Sequence, residues 1–520
     1  MQTLHPLHAL NNNTGDSVSL WMEEEIASTP PLNRDLTTDV CIVGGGIVGL
    51  SCAYQLIQRG LEVAILEAGS LGGGQTSRTT GHLAWALDDR FYELENLFGL
   101  EGARLAAESH REAIKTVEKI AQEERIDCDL EKLDAYLFLA PEDSPDILEK
   151  EWNTLQKIGM PVKKIDRAPI RSFDSGPCLQ FPDHAQFHIF KYLKGLIQAI
   201  LRKNGKIFTH THVNRIQDGS PCYVMTDHHH IVTAKSVIVA TNTPINDRLM
   251  IHTKQAPYRT YVIAGTIPKD SVAKGLYYDT PDPYHYIRLQ KNESDPESEW
   301  LIVGGEDHKT GQETDIFEIY DRLEDWTRHR FPMLQNIAYR WSGQIIEPVD
   351  SLAFIGRNPH DKNIYIATGD SGNGLTHGTL ASLLLAALIL EGSHPWEQLY
   401  NPARKTLQAA GEYAKENLNV AAQYGEWIMP GELDSIKQIA PGTGATLREG
   451  LKKIAVYKDE QGNIHCYSAV CPHLGCIVKW NPGEKSWDCP CHGSRFNIEG
   501  QVLNGPAISP LTPIEKSLKN

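Results

Sequence analysis

Residues 471–494 read CPHLGCIVKWNPGEKSWDCPCHGS and contain four cysteines and two histidines. So many thiolate and imidazole donors in one stretch point to a metal. Their pairing narrows its kind. Cys471-x-His473 is followed, after fifteen residues, by Cys489-x-x-His492. A Cys2His2 zinc site usually pairs cysteine with cysteine and histidine with histidine. Here each pair is mixed. Two loops that each give one thiolate and one imidazole suit a two-iron centre, with both thiolates on one iron and both imidazoles on the other. A zinc ribbon is the alternative.

A second constellation lies near the other end. TTDVCIVGGGIVGLSCAYQLIQRGLEVAILEAG, residues 37–69, predicts a strand over 39–43, a tight turn, a helix over 47–59 and a strand over 62–66. Gly44, Gly46 and Gly49 fit G-x-G-x-x-G. The first makes the turn, the second lets the backbone approach a pyrophosphate, and the third lets helix pack on strand. Glu67 ends the second strand, where it would bond a ribose hydroxyl. The fingerprint alone does not separate FAD from NAD.

Further segments resemble the D-amino-acid oxidase family of FAD-dependent oxidoreductases over roughly residues 36–400. GGGQTSRTTGHLAW, 72–85, is similar to that family's second flavin-contacting loop and brings in Arg78, Thr79, Thr80, Gly81 and His82. TSRTTGHLA is also similar to a loop of dimethylglycine dehydrogenase-like relatives, in which a histidine is bound covalently to the flavin. His82 falls at that position, and Arg78 and Gly81 depart from the pattern. A non-covalent place near the flavin ring is therefore expected. The resemblance further implies contacts from Val213 to the adenine and from Thr241 at a strand end. NIYIATGDSGNGLTHGTLASLLLAALIL, 363–390, is a strand, a glycine turn and a long helix. Gly369, Gly372, Asn373, Gly374, Leu375 and Thr376 lie there, and the helix N-terminus would face the pyrimidine end of the flavin.

Strand-like segments at 132–140, 256–266, 284–290 and 299–305 would form an antiparallel sheet over the flavin in that family. Tyr258, Arg259, Tyr284, His285, Tyr286, Arg288 and Trp341 are the pocket candidates, with Tyr258, Arg259, Tyr286 and Arg288 as catalytic ones. Arg259 or Arg288 could hold a substrate carboxylate bidentately. Each could equally sit on a solvated strand face. His228, His229 and His230 read as a turn.

The C-terminal stretch resembles Rieske [2Fe–2S] domains. The resemblance makes Cys471, His473, Cys489 and His492 the cluster ligands. Cys476 and Cys491 match the disulfide that ties the two cluster loops in Rieske proteins of cytochrome bc complexes. Ser494 matches a donor to a bridging sulfide. Phe496 stands where high-potential members have a tyrosine, so one donor is missing and a lower potential is expected. Asn504-Gly505-Pro506-Ala507 is similar to the loop covering the cluster.

These elements imply an α/β Rossmann-like FAD-binding domain with an inserted antiparallel β substrate sheet, plus a C-terminal all-β Rieske domain. The expected boundaries are an N-terminal arm over 1–36, the FAD-dependent domain over 37–400 with its substrate sheet from 132–165 and 256–348, a helical connector over 401–432, and the Rieske domain over 433–520. The chain has 520 residues and a net charge of −16 with no basic block, which argues against nucleic acid. Its longest apolar run, 380–390, is too short for a bilayer, and the N-terminus does not read as a signal peptide. A cytoplasmic location is expected, and a homo-oligomer is compatible with the sequence. No 2-His-1-carboxylate pattern accompanies the cluster, so oxygenase chemistry is not implied.

The combination implies oxidation of an amine or amino acid by FAD, with electrons leaving one at a time through the cluster to an external acceptor. Two alternatives stay open: a redox-responsive electron-transfer or regulatory flavoprotein without amine turnover, and a flavoenzyme with a non-amine substrate.

Overall fold

The computed structural model describes residues 15–246, 250–313 and 315–514. An eight-stranded sheet forms the dinucleotide half. Leu36–Val43 lies at its centre, parallel to Ile231–Val239 on one side and Val63–Leu66 on the other. Residues 40–43 are all buried, as expected for a parallel strand covered on both faces. Ile364–Thr368 and Lys206–Phe208 extend the parallel order outward. Helix Ile47–Gln58 packs between this sheet and helix Gly374–Leu390, which is apolar all round and accordingly buried.

A nine-stranded sheet runs in the order Ile337–Pro348, Gln255–Pro268, Ser298–Lys309, Tyr286–Lys291, Leu276–Asp279, Glu131–Phe138, Cys178–Gln186 and His82–Leu83, with Lys163–Ile165 beside Cys178–Gln186. The expected antiparallel order has one departure. Leu276–Asp279 pairs parallel with Glu131–Phe138. More than a hundred residues separate them, enough for the long crossover that parallel neighbours need.

The described part of the N-terminal segment is built into the fold. Leu20, Trp21 and Met22 are buried, and Trp21 Nε1 donates to the Thr79 carbonyl at 2.6 Å. At the other end, helix Ala410–Gln423 joins the halves. Its Glu416 pairs with Lys309 at 2.6 Å. Two small antiparallel sheets follow, Thr443–Glu449 with Lys452–Lys458 and Ile464–Ser468, then Lys479–Asn481 with Ser486–Asp488, Arg495–Phe496 and Val502–Asn504. They enclose hydrophobic cores separate from those of the flavin half.

Candidate functional site

A cavity of about 540 Å³ opens at the C-terminal ends of the central parallel strands. Gly44, Gly46 and Glu67 line it, as do Thr79, Thr80, His82, Val213, Thr241, Gly372, Asn373, Gly374 and Leu375. Glu67 accepts from Gly45 N and Gly69 N, both at 2.7 Å. A Cβ on Gly46 would stand 3.0 Å from Thr76 Oγ1, which itself accepts from Ile47 N in the first turn of the helix. Two helix N-termini, at Ile47 and Gly374, meet the cavity. An anionic pyrophosphate fits such a cradle. Gly46→Val is therefore expected to yield protein that releases no FAD on denaturation, while the C-terminal iron centre still assembles. Retained flavin would mean that the pyrophosphate lies elsewhere.

Several residues singled out around the cofactor pack against other parts of the chain. A Cβ on Gly49 would come within 1.9 Å of the Gly44 carbonyl, so this glycine lets helix pack on turn. Gly81, at φ +79°, is pressed against Arg288 and the Phe187 carbonyl, and Gly369, at φ +76°, against Pro348. Thr376 turns its hydroxyl to His110 and to the Asn373 carbonyl. Arg78 reaches the cavity, but its guanidinium runs away to Ser17 and towards Glu484.

The substrate-pocket candidates divide in the same way. Tyr284 and Tyr286 line the cavity. The other five do not. Tyr258 points to Glu416 of the connector helix. His285 bonds Asp279 and stacks on Trp326. Trp341 donates to the Arg78 carbonyl. Arg288 is fully buried, spends its guanidinium on the carbonyls of Thr80, Gly81 and Phe187, and sits over Trp21. Burial pushes it down to about 9. Arg259 faces the C-terminal domain, 3.5 Å from Glu484 and 3.6 Å from Asp488. Neither arginine is placed to hold a substrate carboxylate in the cavity.

The cavity also has lining residues that the sequence reading missed. Asp88 accepts from Tyr284 Oη at 2.5 Å, and Tyr286 Oη meets Thr260 Oγ1 at 2.7 Å beside Asp307. His82 joins this compartment, its ring 5.7 Å from Tyr278 and 5.9 Å from Tyr286. Its Nδ1 meets Thr80 Oγ1 at 2.8 Å, and burial lowers the imidazole to about 3, so it is neutral. The acids sit in ALDDRF and GGEDHK, and neither context forms a recognisable motif.

In the C-terminal domain, residues 471–478 and 489–494 form two facing loops. The thiols of Cys471 and Cys489 face each other from the two loops. The rings of His473 and His492 stand 5.0 Å apart at 90°. Cys476 and Cys491 form a disulfide that ties the loops. The remaining donors, two thiols and two imidazoles from opposite loops, fit a [2Fe–2S] centre of mixed ligation. Phe496 is fully buried in the core beside these loops.

Residues 39–388 match the family described as FAD dependent oxidoreductase, and residues 429–515 match the Rieske [2Fe-2S] domain. The chain belongs to the FAD-dependent oxidoreductase family. Among its relatives is the Rieske 2Fe-2S iron-sulfur protein YhfW of Bacillus subtilis, 32% identical over 497 residues that span 94% of this chain and 96% of the relative. The gamma-glutamylputrescine oxidoreductase of Escherichia coli is 28% identical over 69% of this chain and 85% of its own. Glycine oxidase from Geobacillus kaustophilus shares the fold, with a TM-score of 0.61 and 19% identity over 71% of this chain and 99% of its own. The protein is thus an FAD-dependent oxidoreductase with a C-terminal Rieske [2Fe–2S] domain.

The two halves of this oxidoreductase meet closely. Val502, Leu503, Asn504, Gly505, Ala507 and Ile508 of the Rieske domain form part of the cavity wall. Ala507 N donates to Ser494 Oγ at 3.0 Å, inside the second loop. From the other side, cavity-lining Gln344 donates through Nε2 to the Gly493 carbonyl at 3.0 Å. His252 of the flavin half is 2% exposed and lies with its ring 4.9 Å from His473 and 6.0 Å from His492. Nothing local in the sequence singles it out.

Proposed function

We propose that the protein is a dehydrogenase that oxidises an amine or amino acid and sends the electrons singly through its Rieske domain to an external acceptor. The observation that carries this reading is the shared wall: residues 502–505, 507 and 508 line the cavity and also bond, through Ala507, the loop that carries Cys489 and His492. FAD supplies the two-electron oxidation and [2Fe–2S] the one-electron carriage.

The chain supplies placement. The turn of Gly44 and Gly46, with Glu67, would hold the dinucleotide, and the first turn of Gly374–Leu390 would offer it backbone N–H groups. Cys471 and Cys489, with His473 and His492, would hold the irons. Gln344 fixes the second loop against the cavity, and His252 covers the histidine edges. Tyr424 Oη and Trp427 Nε1 hold the first loop through the carbonyls of Leu474 and Gly475, at 2.8 and 3.0 Å. We place the protein in the cytoplasm with a small-molecule electron donor. No described helix is long and apolar enough to cross a membrane.

An anaerobic screen of amines and amino acids tests the reading. A substrate should bleach the flavin absorbance, and the EPR signal of a reduced imidazole-ligated cluster should follow. If no amine or amino acid bleaches the flavin, while dithionite reduces both centres, amine oxidation is excluded.

A further inference from the structure

One compartment of the cavity is built differently from the rest. The rings of His82, Tyr278, Tyr284 and Tyr286 surround it, with Tyr284 and Tyr286 5.5 Å apart. Two carboxylates, Asp88 and Asp307, complete it. Tyr278 is 7% exposed, and its hydroxyl has no hydrogen-bond partner among the described residues. The same holds for Asp307 Oδ1 and His82 Nε2, both shut off from bulk solvent. Polar atoms of three lining residues, on different strands, are thus buried beside the cavity without a hydrogen-bonding side-chain partner. Buried polar groups normally find partners.

The charge of the lining is equally specific. Among the described residues that line the cavity there is no lysine, and the single arginine, Arg78, turns its guanidinium to Ser17 and Glu484. A substrate with a carboxylate beside its amino group would bring that charge against Asp88 and Asp307 without a cation to receive it. A cationic amine meets the reverse. Two carboxylates attract it, and the tyrosine faces add cation–π attraction. Burial raises both carboxyls to about 7. A bound ammonium would draw them back towards ionisation.

We propose that Asp88, Asp307, Tyr278, Tyr284 and Tyr286 form the amine subsite, and that it takes a cationic alkylamine or polyamine with no carboxylate on the amine-bearing carbon. The proposal rests on the amine or amino-acid reading above and narrows it. Asp307, a carboxylate in the cavity lining, is the group the ammonium meets. Asp88, already holding Tyr284, sets the negative field of the compartment.

The test uses the full-length, flavin-loaded protein and two matched pairs of probes. Pentylamine and norleucine differ only by the carboxylate, as do butylamine and norvaline. Dissociation constants are read anaerobically from perturbation or bleaching of the flavin spectrum, and independently from thermal stabilisation. The amines should bind about tenfold or more tightly than their amino-acid counterparts. Asp307→Asn should weaken the amines by about tenfold or more. It should weaken the amino acids less, because their carboxylate is relieved of a repulsion, with flavin content intact. Tyr278→Phe should weaken the amines less. If the amino acids bind as well as the amines, or Asp307→Asn leaves the amines unaffected, the carboxylate-free class is wrong while amine oxidation still stands. If none of the four probes perturbs the flavin or raises the melting temperature, the subsite falls, and the wider amine and amino-acid screen decides the broader reading.

Discussion

Cys471→Ser, in the otherwise intact chain, is expected to abolish the cluster EPR signal, leave FAD bound and cut turnover with one-electron acceptors to background. The thiol of Cys471 faces Cys489 between two loops that already share a disulfide, so the loops keep one covalent tie when the metal is lost. Serine is nearly isosteric, and the surrounding core of Trp487, Val478 and Phe496 is unchanged in volume. Flavin reduction by substrate should therefore persist, and electrons should drain to oxygen or to two-electron dyes instead. Iron analysis, flavin absorbance and paired acceptor assays read all three effects. If the variant reduces one-electron acceptors as fast as the parent, the Rieske domain does not lie on the electron path.

This substitution is a better test than removing residues 433–520. Truncation would take Val502–Ile508 out of the cavity wall and strip Arg78 and Arg259 of their acidic partners. Any loss of activity would then have two causes.

Glu484→Gln is expected to undock the Rieske domain. Glu484 is 2% exposed and sits where three parts of the chain converge. Its carboxylate accepts from Ser17 Oγ at 2.6 Å and from Ser342, and faces Arg259 at 3.5 Å and Arg78 at 3.8 Å. Asp488 faces Arg259 at 3.6 Å and bonds Arg495 Nε at 3.0 Å. Burial alone would raise both carboxyls. The guanidinium charges outweigh it, Arg78 and Arg259 at Glu484, Arg495 and Arg259 at Asp488, and both end below the ordinary carboxylate range. Neutralising Glu484 leaves buried cations short of an anion, a loss of about 3–5 kcal/mol.

Because the flavin cavity borrows its wall from the Rieske domain, FAD should dissociate more readily and trypsin should cut the connector faster. Lys452→Ala, on the exposed edge of the same domain, should change stability by about 0.5 kcal/mol or less. Unchanged proteolysis and flavin affinity in Glu484→Gln would mean that the ion network does not hold the domains together. The depressed folded pKa values also set the sign of the pH response. Docking strength is fully present above the ordinary carboxylate range and is lost as pH falls through the folded values, so acid should reproduce the Glu484→Gln phenotype.

The features legible in the sequence were those whose chemistry is local. Gly44, Gly46 and Glu67 lie within one strand–helix–strand unit, and the Cys/His pairs within 22 residues (471–492). Arg259 was misread for a physical reason. Its strand, Gln255–Pro268, is buried along nearly its whole length on both faces, so polarity does not reveal which face meets the cavity. Its partners Glu484 and Asp488 lie in another domain. Arg288 was misread because its role is to satisfy three backbone carbonyls, which leaves no trace in residue type. Asp88, Asp307 and His252 belong to no motif, and only the packing of two sheets and two domains brings them to their sites.

Rapid-mix, freeze-quench EPR on the anaerobic protein, with optical stopped-flow in parallel, tests flavin-to-cluster transfer most directly. Mixed with an amine that reduces it, the intact protein should lose flavin absorbance first and gain the cluster signal afterwards, at a rate independent of protein concentration. A cluster that stays oxidised while the flavin is fully reduced, or a cluster signal whose rate rises with protein concentration, would contradict electron transfer across the shared wall.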